Sequence, residues 1–337
     1  MATLLDLRRR VRSVRNIRQI TRAMKMVAAA KLRRTQDRII AARPYSDKLW
    51  EVLNDLAERT EERDHPLLRS ARQEHVTAVI VTSDRGLCGS FNTNVVRRAT
   101  TALHSWQDQA VNLVPVGKAG YTYFRRRDWP IGNSYLDCLS DLSFAGAAAI
   151  GHYLIEEFTE ERTDAVYVIY NEFKSVLRQQ VVVEPLLPIL GIRLPQRLGV
   201  TAREAARAFA EQQAGGSLAV GFGEIGSLAG AWARGRDEAE AALVAEMAPV
   251  ELVDYLYEPS AAAIFGELLP RHVEVQVFRA LMESVAAEHA ARMTAMANAT
   301  KNADEMIDDL TLTMNKIRQE EITTEILEVV GGAEALE

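Results

Sequence analysis

The sequence predicts an α/β protein in two parts, an antiparallel coiled coil of its N- and C-terminal helices and a compact α/β body between them. Three observations carry this. Residues 1–42 contain neither Gly nor Pro and repeat weakly polar and apolar side chains at steps of three and four. Arg271–Val330 does the same. In the stretch between, short β-branched runs alternate with helical spacing, the order of a mostly parallel sheet with helices on its faces.

The N-terminal stripe is Leu7, Val11, Val14, Ile17, Thr21, Met24 and Ala28. Its partner is Met293, Met296, Thr300, Ala303, Ile307, Leu310, Met314 and Ile317. Because the middle of the chain folds at one end of the pair, the two helices run antiparallel and the pairing is intramolecular. Forty to sixty residues at about 1.5 Å each make a rod of roughly 60–90 Å, far longer than a compact domain needs. The stripe is rich in Ala, Thr and Met rather than the Leu/Ile pattern of a tight dimer seam, which argues against self-association through it. Pro44 predicts a kink or short break after Arg43, with helical pattern resuming over Lys48–Leu56.

The body follows in order. Thr60–Glu74, charged and containing Pro66, reads as a surface connection. Val76–Val81 is a buried strand closed by Asp84–Gly89, and Ser90–Trp106 has helical spacing. Val111–Val116, Ala165–Tyr170 and Gln180–Leu187 read as further strands; Gly117–Arg127 and Ala147–Phe158 read as helices. The domain boundaries are therefore 1–57 for the N-terminal helix, 75–192 for a Rossmann-like body, 193–252 for a long insertion and 253–337 for the C-terminal segment. Within 193–252, Thr201 and Glu204 cap a helix over Ala202–Gln213, a Gly-rich stretch follows, and a second helix falls near Asp237–Met247.

Charge is distributed unevenly. The chain carries a formal −6, yet residues 1–40 hold 12 Lys/Arg against Asp6 and Asp37, while residues 301–337 hold ten acidic residues against Lys301, Lys316 and Arg318. A basic helix suits nucleic acid or an anionic surface, but no aromatic residue capable of stacking on a base occurs before Tyr45. Acidic protein loops, together with the acidic C-terminal helix, suffice as partners. The Arg-rich start resembles a transit peptide in composition; its periodicity continues into the rod, so it reads as structural, which favours a bacterial source.

The residues give no support to an active site. Ser83-Asp84-Arg85-Gly86-Leu87-Cys88-Gly89 follows a strand and opens a helix, where related folds hold phosphate, but GLCG lacks the dinucleotide spacing. The letters GxGxxG at Gly221–Gly226 stand outside any βαβ unit. The loop reads instead as a tight turn needing two glycines. Cys88 and Cys138 show no metal-ligand spacing and read as reduced and buried. The six histidines are scattered, and no carboxylate pair suggests acid–base work. The expectation is no catalytic residue, no cofactor and no metal. No apolar run approaches the length needed to span a bilayer.

Four blocks in register then carry a resemblance: Ile20–Arg33 (ITRAMKMVAAAKLR), Ser83–Gly89, Asp254–Pro259 (DYLYEP) and Ile322–Glu328 (ITTEILE) followed by Gly332-Ala333. Together they closely resemble the gamma subunits of F-type ATP synthases, the central-stalk rotors. The resemblance implies a shaft turning inside a ring of three alpha and three beta subunits, with its foot on the epsilon subunit and the c-subunit ring, one copy per complex. It implies a peripheral protein on the cytoplasmic face of a bacterial membrane that couples ion flow to ATP synthesis or hydrolysis without bond-making of its own. The implied catalytic-subunit contacts are Met24, Arg318, Gln319 and Thr323, and the basic collar adds Arg33 and Arg34. Tyr255, Tyr257 and Glu258 are the implied contacts with the rotor ring and epsilon. The insertion 193–252 departs from relatives of ordinary length; a photosynthetic branch has one in a similar place with a cysteine pair, and this one has no cysteine. The competing readings are a coiled-coil adaptor that does not rotate and a Rossmann-like enzyme with helical arms.

Overall fold

The computed structural model describes residues 4–59, 65–69, 74–176, 178–189, 258 and 260–334. The expected insertion at 193–252, with its two helices and its GxGxxG letters, lies outside the described residues. So do Tyr255 and Tyr257.

The first helix, α1 (Leu4–Arg59), and the last, α5 (Ala261–Glu334), are 56 and 74 residues long, roughly 80 and 110 Å at the helical rise. They run antiparallel. Arg18 pairs with Asp304, Thr21 with Thr300, and the Trp50 ring lies against His272. The expected stripes meet: Leu7, Val11, Thr21, Ala28, Met296, Ala303 and Ile307 are buried, and Val14, Met24 and Leu310 half-buried. Leu32 and Thr35 extend the seam.

Two expectations for these helices are corrected. Ile17 is 50% exposed; the position facing α5 belongs to its neighbour Arg18, whose guanidinium spans the seam to Asp304 at 2.9 Å. Apolarity alone favoured Ile17, but the turn angle of the helix brings residue 18 round to the partner. Pro44 lies inside a helix that continues through it, so the short break offered as one of two outcomes is absent. Pro44 is exposed, so the carbonyl it leaves without an N–H partner faces the solvent side, where water can serve it. In the same way α5 begins before the Gly- and Pro-free stretch and runs through Gly266 and Pro270.

The body is one four-stranded sheet of β1 (His75–Val81), β2 (Ala110–Val116), β3 (Ala165–Phe173) and β4 (Gln179–Leu187), in the order β2-β1-β3-β4. β1 pairs in parallel with both β2 and β3, and β4 closes the far edge antiparallel to β3. Every predicted strand is present, and the sheet is mostly parallel. The period of two places Val79 and Val81 on one face and Val76, Ala78 and Ile80 on the other.

The second face is covered by α2 (Phe91–Ser105) and α3 (Lys118–Arg125), through Val95, Ala99, Leu103 and Phe124. The first face is covered by α4 (Phe144–Thr159), the last turns of α1 and the first half of α5, through Leu53, Leu56, Leu154, Leu269 and Val273. Ser143 caps α4, its Oγ accepting from Gly146 N. One end of each long helix is thus core, and the other end is shaft.

Candidate functional site: the shaft and its joint with the body

The β2-β1-β3 order makes a topological switch point at the carboxyl ends of β1 and β3, where open α/β sheets ordinarily bind ligands. Here α5 occupies it. Phe173 at the end of β3 packs against the cluster of Cys88, Phe91 and Ala287, as Ala291 does, and against that of Leu32, Ala286 and Ala290. Gly89 takes φ +59°, and a Cβ there would meet the Ala295 side chain at 3.6 Å. The helix lies directly on the loop.

A cation fixes that contact. Arg292 of α5 donates to the carbonyls of Arg85 (3.3 Å) and Gly86 (3.2 Å) and pairs with Glu288 at 2.6 Å. A phosphate loop turns its N–H groups inward toward an anion; this loop turns carbonyls toward a guanidinium. Glu288 is held above the usual carboxylate range by burial, against the pull of Arg292. His289 is pushed down to about 4 by burial and by the positive charges of Arg292 and Lys31.

The expectation of two required glycines is half right. Gly89 needs its left-handed backbone, whereas Gly86 has open space around it and the other left-handed residue is Leu87, at φ 63° and exposed. Cys88 is buried, with the Asn92 amide 3.3 Å from its sulfur. Cys138 is only half-buried, not buried as expected, because it lies on the loop before α4; burial is still enough to push its thiol up to about 11.

A groove of about 540 Å³ runs between α1, this loop and α5, lined in part by Ile20, Met24, Lys31, Arg85, Leu87 and Arg292. Met24 is therefore both seam and groove wall. Arg33 and Arg34 stand exposed on α1 and make no ion pair among the described residues. Carried to its end, the Thr21–Thr300 register sets Leu4 level with Ile317, so Arg318, Gln319 and Thr323 lie past the described start of α1, all exposed. The Thr323 hydroxyl donates to the Gln319 carbonyl, leaving its lone pairs as acceptors. Glu258 is exposed just before α5. The named contacts thus fall in separate zones instead of converging on one pocket. Arg292 escaped the sequence reading; its only signal was a basic residue set in an alanine-rich stretch of α5.

Among the described residues no cluster of His, Cys, Asp or Glu could hold a metal ion, and no helix is long and apolar enough to cross a membrane. Fold and joint together define a stalk protein, a helical shaft seated where a ligand would otherwise bind. The sequence profile of the family described as ATP synthase matches residues 3–336. The chain is 40% identical over 337 residues to the ATP synthase gamma chain of Pelotomaculum thermopropionicum, covering 100% of both chains. It is 40% identical to that of Geobacter metallireducens, covering 100% of this chain and 99% of the relative. Both alignments run on across residues 193–252. In fold it is similar to a chain of the Euglena gracilis mitochondrial ATP synthase OSCP/F1/c-ring structure (TM-score 0.59, 20% identity, 99% of this chain and 94% of that one). It is also similar to a chain of the Tetrahymena thermophila central stalk and c-ring (TM-score 0.53, 24% identity, 83% and 99%). The chain belongs to the ATP synthase gamma-chain family.

Proposed function

We propose that this chain is the turning shaft of an F1Fo ATP synthase. The α1–α5 coiled coil lies inside the ring of three alpha and three beta subunits, and the sheet forms a foot on the epsilon subunit and the c-subunit ring. The chain makes and breaks no bond. Its lopsided surface presents a different face to each catalytic subunit as it rotates, so their nucleotide affinities cycle. It is peripheral, on the cytoplasmic face of a bacterial membrane, one copy per complex.

The observation that carries this reading is the division of each long helix into a core half and an exposed shaft half, with α5 reaching beyond α1. Basic side chains line the α1 shaft from Arg8 to Arg38 and are exposed, Arg18 among them turning across the seam to Asp304. Met24, Arg33, Arg34, Arg318, Gln319 and Thr323 meet the catalytic subunits; Tyr255, Tyr257 and Glu258 meet the rotor ring and epsilon. Exposed charges of this kind steer and orient partners more than they add affinity. In a reconstituted complex, Arg33→Glu with Arg34→Glu is expected to lower torque or the yield of assembled complex, with the loss growing as salt is reduced. Full assembly and full torque would refute the collar contact, and failure of the wild-type chain to co-elute with alpha and beta subunits would refute the shaft itself.

A further inference from the structure

Where α5 leaves the sheet for the open shaft, a knot of charge is packed beneath it. Arg279 of α5 donates to Glu184 of β4 at 2.9 Å. Glu283, one turn on, lies within electrostatic reach of that guanidinium and of Glu172 of β3, Glu184 of β4 and Arg43 of α1. Tyr170 of β3 is buried in the same field, and Lys174 sits 3.5 Å from Glu172. One guanidinium thus has Glu184 as its direct partner and two further carboxylates, Glu172 and Glu283, in its field. Glu283 is the one left short: its Oε2 is sealed from solvent and has no hydrogen-bond partner.

We propose that this knot is a proton-operated latch, in which a neutral Glu283 carboxyl lets α5 seat on the β3–β4 edge and loss of its proton to solvent loosens that seat. An ionised Glu283 places a buried anion beside Glu184 and Glu172 and competes with them for Arg279, so the strain falls on the contact between α5 and the sheet. That contact is one of those that hold the shaft to the body.

The titration lies in a range that matters at neutral pH. Burial, opposed by Arg279 and reinforced by Glu184 and Glu172, pushes Glu283 up to about 7 from an ordinary 4.5. The folded chain then holds a proton that the unfolded chain has released. Its stabilising effect is whole below 4.5, falls as pH rises toward 7, and is gone above that. His272 and His289, both pushed down to about 4 by burial and by Arg279 or by Arg292 and Lys31, act in the opposite sense and lose stability as pH falls below 6.5. A comparison with a variant at Glu283 alone cancels them.

The test uses the full chain without partners, so its failure is separate from any failure of the rotary reading. Hydrogen-exchange protection of α5, β3 and β4, corrected for intrinsic exchange, is measured in wild type and Glu283→Gln at pH 5.5 and 7.5. The ratio of variant to wild-type protection is expected to rise roughly tenfold between the two pH values. A ratio that does not change overturns the latch. Infrared difference spectra are expected to show a protonated carboxyl band in wild type that vanishes near neutral pH and is missing from the variant; its absence from wild type at pH 5.5 overturns the latch as well. Should Glu283→Gln fail to fold, Glu184→Gln is expected to lower the pH at which the band vanishes, and a band that stays in place overturns it.

Discussion

At the scale of single residues, Arg292 ties the shaft to the loop after β1. Its side chain and that of Glu288 are only 13% and 10% exposed, and it serves two loop carbonyls besides. Truncating one partner of so enclosed a pair leaves an uncompensated charge, a loss of about 3 kcal/mol in comparable sites. Arg292→Ala is therefore expected to lower unfolding stability in urea by that order, and Arg292→Lys by less, since the ammonium cannot fork across two carbonyls and a carboxylate. Equal midpoints for wild type and Arg292→Ala would refute the assignment. Gly117 shows a requirement of another kind. It takes φ +96° with the Thr82 carbonyl 2.2 Å from where a Cβ would stand, so the turn from β2 into α3 admits no side chain.

At the scale of elements, the seam between α1 and α5 is weakly apolar and is fixed in register by polar pairs. The Thr21 and Thr300 hydroxyls are 2.8 Å apart, and Arg18 meets Asp304 less than a turn away. Thr21→Val and Thr300→Val, alone and together, are expected to show a coupling of about 1 kcal/mol by chemical denaturation; additive losses would mean that the hydroxyls ignore each other. The strands and helices of the body were legible from the sequence because each encodes its own period: Val76–Val81 reads as a strand on β-branching alone. The long helices were legible in place but not in detail. Ile17 and Arg18 are both consistent with a repeat of three and four, and only the partner helix decides between them. Pro44 and Pro270 signal breaks locally, yet tertiary packing on both sides carries the helix through. Arg292 was invisible for the same reason, since its partners Arg85 and Gly86 are some two hundred residues away in the chain.

At the scale of the whole molecule, stability and reach are divided between the two ends of the shaft. Leu49, Leu53, Leu56, Phe265 and Leu269 anchor the helices in the main core, whereas the side chains from Arg318 to Leu327 are exposed. Ending the chain after Ile317 is expected to shift its thermal midpoint by no more than about 2 °C, because the described side chains removed, Arg318 to Leu327, are exposed. A larger drop would mean that the tip supports the fold. The site residues were legible only in part: helix stripes and charge runs show in a sequence, but the meeting of Met24, Leu87 and Arg292 around one groove depends on where the sheet sets down α5.

The hydroxyl pair at Thr21 and Thr300 has a mechanical consequence. Two rods pinned over one short stretch, by this pair and the neighbouring Arg18–Asp304 pair, with mostly small or supple side chains facing each other on either side, are expected to store twist unevenly. Under load, winding is expected to gather on either side of the pinned stretch, so an axle of this kind gives a little before it delivers its turn.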